Sequence, residues 1–291
     1  MSDRSVHRSQ LPRQAVGTSK ILTVGRATLQ CFDAGAGETV VLLPGFGRAA
    51  SDYNELVQAL NQAGYRTVAL ELRGVGASRS PFWPRATLQD FAADVAGVVR
   101  ELGGVPEGKV HVLGRAFGSR VARAVAVHYP HLVRSVILLA AGGLVLPSFW
   151  VYWRYGLLAS RVSPPFLRRW IVQQTLYAPG NRPPHYLVYG GSWRALSRQA
   201  YAARRSPLET WWHGGQAPML VVHGQDDRLA PLANATASRD RFPERVQLVV
   251  VPHAGHALLP EQPGLVTDAV LRFLKEHPIA ALPARDPLRN E

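Results

Sequence analysis

Short, continuous runs of Val, Leu and Ile recur along the chain, each separated from the next by a segment with a helical apolar period. The runs fall at residues 40–43, 67–70, 110–113, 136–140, 219–222 and 246–251. Continuous apolar content of this kind fits strands buried on both faces, as in a parallel sheet. Ahead of them, residues 21–24 and 27–32 predict a hairpin turning at Gly25 and Arg26. Between the runs, Ser51 is a candidate cap for a helix with Leu56, Val57 and Leu60 on one face and Gly64 as its stop. Thr87 followed by Asp90 resembles a capping box, and Phe91, Val95, Val98, Val99 and Leu102 continue the stripe. A third helix is expected from Phe117 to Tyr129, ending at Pro130, and a last one carries Val266, Ala269, Val270, Phe273 and Leu274. The alternation predicts an open α/β sheet with helices on both faces.

The alternation breaks over residues 144–215. That stretch holds six of the seven Trp, and nine Arg against one acid, Glu209. It reads as an inserted, mostly helical lid within a core of residues 20–143 and 216–278, with loose tails at 1–19 and 279–291. With 47% hydrophobic and 18% charged residues, the 291-residue chain can bury a sizeable core. The single cysteine, Cys31, excludes an intrachain disulfide framework and a multi-cysteine zinc site, and is expected to be a buried strand residue. The N-terminus lacks an apolar segment of the secretory kind, and no run of about 18 apolar residues exists to span a bilayer. A cytoplasmic setting is the expectation. The net charge of +13 favours anionic partners, yet no nucleic-acid motif accompanies it, and nucleic acid is not expected as a partner.

Ligands of an open parallel sheet bind beyond the C-terminal strand ends. The run at 110–113 ends in Gly114-Arg115-Ala116-Phe117-Gly118, with a strand before it and a helix after. This is the spacing of a nucleophile elbow, G-x-S-x-G, with alanine in the serine position. Four further segments take their places around it. Leu43-Pro44-Gly45-Phe46-Gly47 is similar to an oxyanion loop, with Pro44 where His is usual. The segment from Glu71 to Ser78 is similar to D-x-R-G-x-G-x-S, with Glu for Asp. His223-Gly224-Gln225-Asp226-Asp227-Arg228-Leu229-Ala230-Pro231 matches an acid turn, and Gly255-His256-Ala257, followed by Pro260-Glu261-Gln262-Pro263, matches a histidine loop. In this order and spacing the stretch from Val40 to Leu274 resembles the α/β-hydrolase superfamily, in the branch that carries a helical lid.

The resemblance implies the α/β-hydrolase fold: a mostly parallel central sheet, helices on both faces and an inserted helical lid. It also implies His256 as base, Asp227 as its orienting acid, and the backbone N–H groups of Phe46 and Phe117 as the oxyanion hole. His253 and Asp226 compete for the first two roles as neighbours in sequence. Ala116 marks the nucleophile position, and a methyl group cannot attack a carbonyl; Ser119, three residues on, falls in the helix rather than at the apex. Two histories fit, an engineered replacement of serine and a native alanine, and the undisturbed run Phe117-Gly118-Ser119-Arg120 favours the native one. Gly45, Arg115, Trp150 and Trp153 are candidate substrate contacts. The dense aromatics Phe149, Trp150, Tyr152, Trp153 and Tyr155 line the cavity, form lid core, or face a membrane or partner, and with Arg154, Arg161, Arg168 and Arg169 they suit weak contact with a membrane surface. No cofactor or metal is implied.

The expected function is a hydrolase acting on a small-molecule, ester-like or related carbonyl substrate with an apolar or aromatic portion. The alternatives are a cofactor-independent proton-abstracting enzyme of lyase or oxygenase type using His256 and Asp227, and a non-catalytic receptor for a small ligand.

Overall fold

Each of the six apolar runs forms a strand. The structure is a computed structural model that describes residues 13–81, 85–103, 105, 108–158, 164–189 and 191–279. The strands are β1 (Thr18–Val24), β2 (Ala27–Ala34), β3 (Thr39–Leu43), β4 (Arg66–Leu70), β5 (Val110–Arg115), β6 (Val133–Leu139), β7 (Met219–Gly224) and β8 (Val246–Val251). They make one eight-stranded sheet in the order β1-β2-β4-β3-β5-β6-β7-β8. The expected hairpin pairs β1 with β2, and β2 lies antiparallel to β4; from β4 to β8 every pairing is parallel.

The continuous apolar runs are explained by two cores, one on each face. Along β3, Val41 and Leu43 enter one core while Val40 and Leu42 enter the other, and β6 divides in the same way. The first core is closed by α2 (Leu88–Glu101) and α3 (Phe117–His128), the second by α1 (Asn54–Gln62) and α10 (Pro263–Glu276). Each fully buried Val or Leu contributes about 1.5–3 kcal/mol, so the strand centres are where the sheet is held most firmly. The Thr87–Asp90 capping box starts α2, and Gly64, at φ 87°, ends α1. Ser51 is not the cap of α1. It lies inside a 3-10 turn (Ala50–Tyr53), so that the helix begins at Asn54 with Tyr53 before it.

Residues 144–215 contain α4 (Phe149–Leu158), α5 (Pro165–Leu176), α6 (His185–Tyr189) and α7 (Trp193–Arg205), all between β6 and β7. Ile171, Val172, Leu187 and Val188 form a small core of their own, which reaches Ala257. Trp211 joins the main core instead, as do Ala195, Ala202 and Ala203 of α7. The side chains of Tyr152 and Tyr155, and all of Arg161, lie outside the described residues. Two elements were not foreseen, α8 (Ala233–Arg241) and the short α9 (Leu258–Glu261). The described parts of the expected tails, residues 13–19 and 279, are held to the core. Thr18 and Ser19 belong to β1, the Val16 amide donates to Asn54 Oδ1 at 3.1 Å, and the Ile279 amide donates to Glu38 Oε1 at 2.9 Å. Residues 1–12 and 280–291 lie outside the described residues.

Candidate active site

At the C-terminal end of β5 the chain turns directly into α3, and Ala116 sits at the turn with φ 51° and ψ −107°. A non-glycine residue is rarely found there, and such a conformation costs about 1–3 kcal/mol unless its surroundings impose it. The surroundings do. The Ala116 amide donates to the Leu139 carbonyl at 3.0 Å, tying the turn to the end of β6. A side chain on Gly114 would overlap the Gly118 backbone, and one on Gly118 would overlap the Leu43 carbonyl. The two elbow glycines are therefore required by close packing between the turn, its helix and β3. Ser119 is buried, and its hydroxyl donates to the Gly114 carbonyl at 2.7 Å; it braces the turn.

The loop after β3 lies beside this turn. A Cβ placed on Gly45 would sit 3.6 Å from the Ala116 methyl. The loop is closed by the Arg48 amide donating to the Gly45 carbonyl at 3.1 Å, and Gly47 holds φ 64°. The helical insertion grips it from outside: the Gly47 amide donates to Gln199 Oε1 at 2.7 Å, and the Ser192 amide donates to the Gly47 carbonyl at 2.7 Å. From below, the Tyr53 hydroxyl donates to the Leu43 carbonyl at 2.8 Å, and burial pushes its pKa up so that it stays a donor. The Phe46 and Phe117 rings pack 4.7 Å apart, so the two residues expected to supply oxyanion amides are neighbours. Phe117 is the first residue of α3, where a backbone N–H has no acceptor within the helix.

His256 and Asp227 meet from separate loops. His256 Nδ1 donates to Asp227 Oδ2 at 2.9 Å, leaving Nε2 as the basic nitrogen. Asp227 Oδ1 accepts from the Leu229 and Ala230 amides at 3.0 and 2.7 Å. Burial alone would raise the Asp227 pKa, but the charge and hydrogen bond of His256, the nearby His223 and the Ala230 amide together outweigh it and hold the carboxyl below its usual value. The competing neighbours differ in exposure. His253 is exposed and Asp226 half-buried, whereas His256 and Asp227 are buried.

The supporting residues were not legible as such beforehand. His223, four residues before Asp227, has Nε2 3.5 Å from Oδ2 and donates to the Ala230 carbonyl at 2.7 Å; burial lowers its pKa and keeps it neutral. Glu261 accepts from the Gly255 amide at 2.8 Å and from the Ala178 amide at 2.7 Å, joining the histidine loop to the insertion. Asn234 accepts from the Leu144 and Val145 amides at 2.9 and 2.8 Å, anchoring the start of the insertion. Glu71, in the segment that resembles D-x-R-G-x-G-x-S, is buried with Oε1 accepting from the Ala50 amide at 3.2 Å, and burial raises its pKa to about 7. In the same segment Arg73 forms a buried pair with Asp94 at 2.5 and 2.8 Å.

The proposed substrate contacts divide. Gly45 lies at the elbow. Arg115 is buried beside it, but its guanidinium donates to the His256 carbonyl at 3.2 Å and lies 3.9 Å from Asp52, which also takes two bonds from Arg48 at 2.6 and 2.7 Å. Arg115 thus braces the histidine loop. Trp150 and Trp153 stand 64% and 51% exposed on α4, and no described contact brings them to the dyad.

Comparison with known proteins places the chain in a family. Residues 35–263 match the family described as Serine aminopeptidase, S33. A 2-(acetamidomethylene)succinate hydrolase of Mesorhizobium japonicum is 26% identical, over 88% of this chain and 95% of that protein. A 2-hydroxy-6-oxo-6-phenylhexa-2,4-dienoate hydrolase of Burkholderia cepacia is 28% identical, over 88% and 96%. Among solved structures, a thermophilic esterase from Thermogutta terrifontis superposes with a TM-score of 0.74 at 24% identity, over 90% of this chain and all of that one. The family match covers residues 35–263, well over half of the chain, so the chain belongs to the serine aminopeptidase S33 family and is a hydrolase of the α/β-hydrolase fold.

Proposed function

We propose that this protein hydrolyses an ester-like or related carbonyl substrate with an apolar or aromatic portion, and that water itself, activated by His256, is the attacking group. The observation that carries this reading is an assembled, buried His256–Asp227 pair at an elbow whose residue 116 has no nucleophilic atom. The related hydrolases named above support the substrate class, since their substrates carry an acetamido group or an oxo group beside a phenyl ring.

In this scheme His256 Nε2 removes a proton from water as its oxygen bonds to the carbonyl carbon. Asp227 keeps Nδ1–H oriented and stabilises the imidazolium. The carbonyl oxygen becomes an oxyanion, held by the Phe46 and Phe117 amides. Collapse breaks the bond to the leaving group, which takes its proton from the imidazolium, and acid and alcohol depart. No acyl-enzyme forms. A triad that lacks its side-chain nucleophile keeps roughly 10³–10⁴-fold catalysis over water from the oxyanion hole and binding, so turnover is expected to be slow.

The test uses p-nitrophenyl esters of several chain lengths with the parent chain, His256→Ala and Ala116→Ser. Slow turnover in the parent that disappears in His256→Ala, without a burst of p-nitrophenol, is the expected result. A parent no faster than His256→Ala on every ester, with Ala116→Ser active and giving a burst, would show instead a serine-hydrolase apparatus that needs its nucleophile. If none of the three turns over, while a small carbonyl ligand stabilises the parent, the receptor alternative stands.

A further inference from the structure

Away from the site, the exposed large apolar side chains are concentrated in one place. Of the twelve such residues described, eight fall within residues 144–170. Leu146 is 75% exposed, Phe149 71%, Trp150 64%, Trp153 51%, Phe166 74% and Trp170 47%. They are connected. The Phe149 and Trp150 rings lie 5.6 Å apart and those of Trp150 and Trp153 6.4 Å apart. Arg154 of α4 then reaches across to α5, its guanidinium 5.2 Å from the centre of the Trp170 ring. Phe166 and Trp170, four residues apart, share a face of α5. Scattered exposed apolar residues are ordinary in a folded protein, but a contiguous group of this size is a mark of an interaction surface.

The charge around the patch is one-sided. Residues 144–170 include Arg154, Arg161, Arg168 and Arg169 and no acid, and over residues 144–215 the count is nine Arg to one Glu. We propose that this face of the insertion docks on a bilayer bearing anionic phospholipids. The Trp and Phe rings enter the boundary between headgroups and acyl chains, and the guanidinium groups lie over the phosphates. Two features favour lipid over a protein partner. The rings stand far out of the surface, with half to three-quarters of their area free, and Trp is the side chain whose amphipathic ring suits the headgroup level. The rim also lacks the acids that would give a protein partner a mixed charge pattern to match. The attachment is peripheral: α4 has ten residues, and no described helix is long and apolar enough to cross a membrane.

The test is flotation of the full chain with vesicles of phosphatidylcholine alone and of phosphatidylcholine mixed with phosphatidylglycerol, at low and high salt. Binding is expected to the mixed vesicles, weakened by salt because exposed charges are screened. Arg169→Gln, at an exposed position, should weaken partitioning about fivefold. The double change Trp150→Ser with Trp153→Ser should weaken it by roughly tenfold or more, since it removes two half-inserted rings. Both variants alter exposed side chains and should keep the parent's unfolding temperature; if the tryptophan pair misfolds, the arginine variant alone decides. No binding to either vesicle overturns the proposal, as does binding that neither change weakens. Self-association of the parent that the tryptophan changes abolish, without vesicle binding, would assign the patch to contact between copies of this chain.

Discussion

Replacing Ala116 by glycine should stabilise the protein, although it deletes atoms from a half-buried position. With φ 51° and ψ −107°, residue 116 lies where a Cβ clashes with its own backbone and glycine does not. Relief of that conformation is worth about 1–3 kcal/mol. Against it stand about 0.5–1 kcal/mol for the greater freedom of glycine in the unfolded chain, and about 0.4 kcal/mol for half the burial of one methyl group. The balance is a gain of about 1 kcal/mol, or an increase in unfolding temperature of about 2 °C for a chain of this size.

The assay is equilibrium urea unfolding of the parent, Ala116→Gly and Ala116→Ser, with thermal melts alongside. The glycine variant should shift the midpoint upward with an unchanged slope, since a changed slope would mean that the unfolded or native state had changed compactness. Serine keeps the Cβ and so keeps the strain; its stability should stay within about 0.5 kcal/mol of the parent. A glycine variant no more stable than the parent would refute the claim that the elbow is held against the preference of its own residue. A serine variant as stabilised as glycine would refute it equally, because relief could then not come from losing the Cβ.

Further outcomes follow from the same contacts. Gly118→Ala places a methyl 2.6 Å from the Leu43 carbonyl carbon and 2.8 Å from the Pro44 oxygen, both backbone, and should cost at least about 3 kcal/mol in a urea or thermal melt, whereas Gly264→Ala in α10 meets nothing within 4 Å and should gain about 0.5–1 kcal/mol. Asp227→Asn should lower the parent's slow ester turnover to the level of His256→Ala in the p-nitrophenyl ester assay, because an amide no longer fixes the Nδ1–H tautomer. Burial lowers the pKa of His111 to about 4, so its contribution to stability is present above the ordinary value of 6.5 and is lost as pH falls towards 4; Glu71, raised to about 7, contributes most below 4.5 and loses its effect as pH rises through 7. Each is worth up to about 3 kcal/mol and they oppose one another between pH 4.5 and 6.5, so relative to the parent His111→Gln should make unfolding midpoints fall with rising pH, and Glu71→Gln should make them fall with decreasing pH.

What could be read from the sequence was whatever repeats or is spaced locally. The central strands were legible because both faces are buried, leaving continuous apolar runs that no exposed helix shows. The elbow was legible because Gly114 and Gly118 answer to close backbone contacts at fixed spacing, and the dyad because each member sits in a short glycine-bearing loop. The segment of α8 was missed because it reaches the core through small residues, Ala235 and Ser238, and shows almost no apolar stripe. Ser51 was misplaced because the sequence does not reveal that a 3-10 turn comes before α1. The bracing residues Gln199, Glu261 and Asn234 were invisible for a different reason. Each is one polar side chain whose partner lies far along the chain, as with Gln199 and Gly47, 152 positions apart, and only the folded topology brings them together.

The elbow and the dyad say different things about whether this site works. The strained turn at Ala116 is enforced by Gly114, Gly118, the Leu139 carbonyl and the end of β3, none of which depends on what residue 116 carries beyond its backbone. Its persistence around a methyl group therefore follows from the fold and would survive the loss of a nucleophile. Asp227 is otherwise. A carboxylate 5% exposed carries a desolvation cost of several kcal/mol, and here that cost is met by two backbone amides and by His256. The sheet has no need of that arrangement, since an apolar residue in its place would remove the cost without disturbing any strand pairing. The side chains kept at this expense are the ones that orient His256, which supports the proposal that the chemistry runs through the histidine rather than through the residue at the turn.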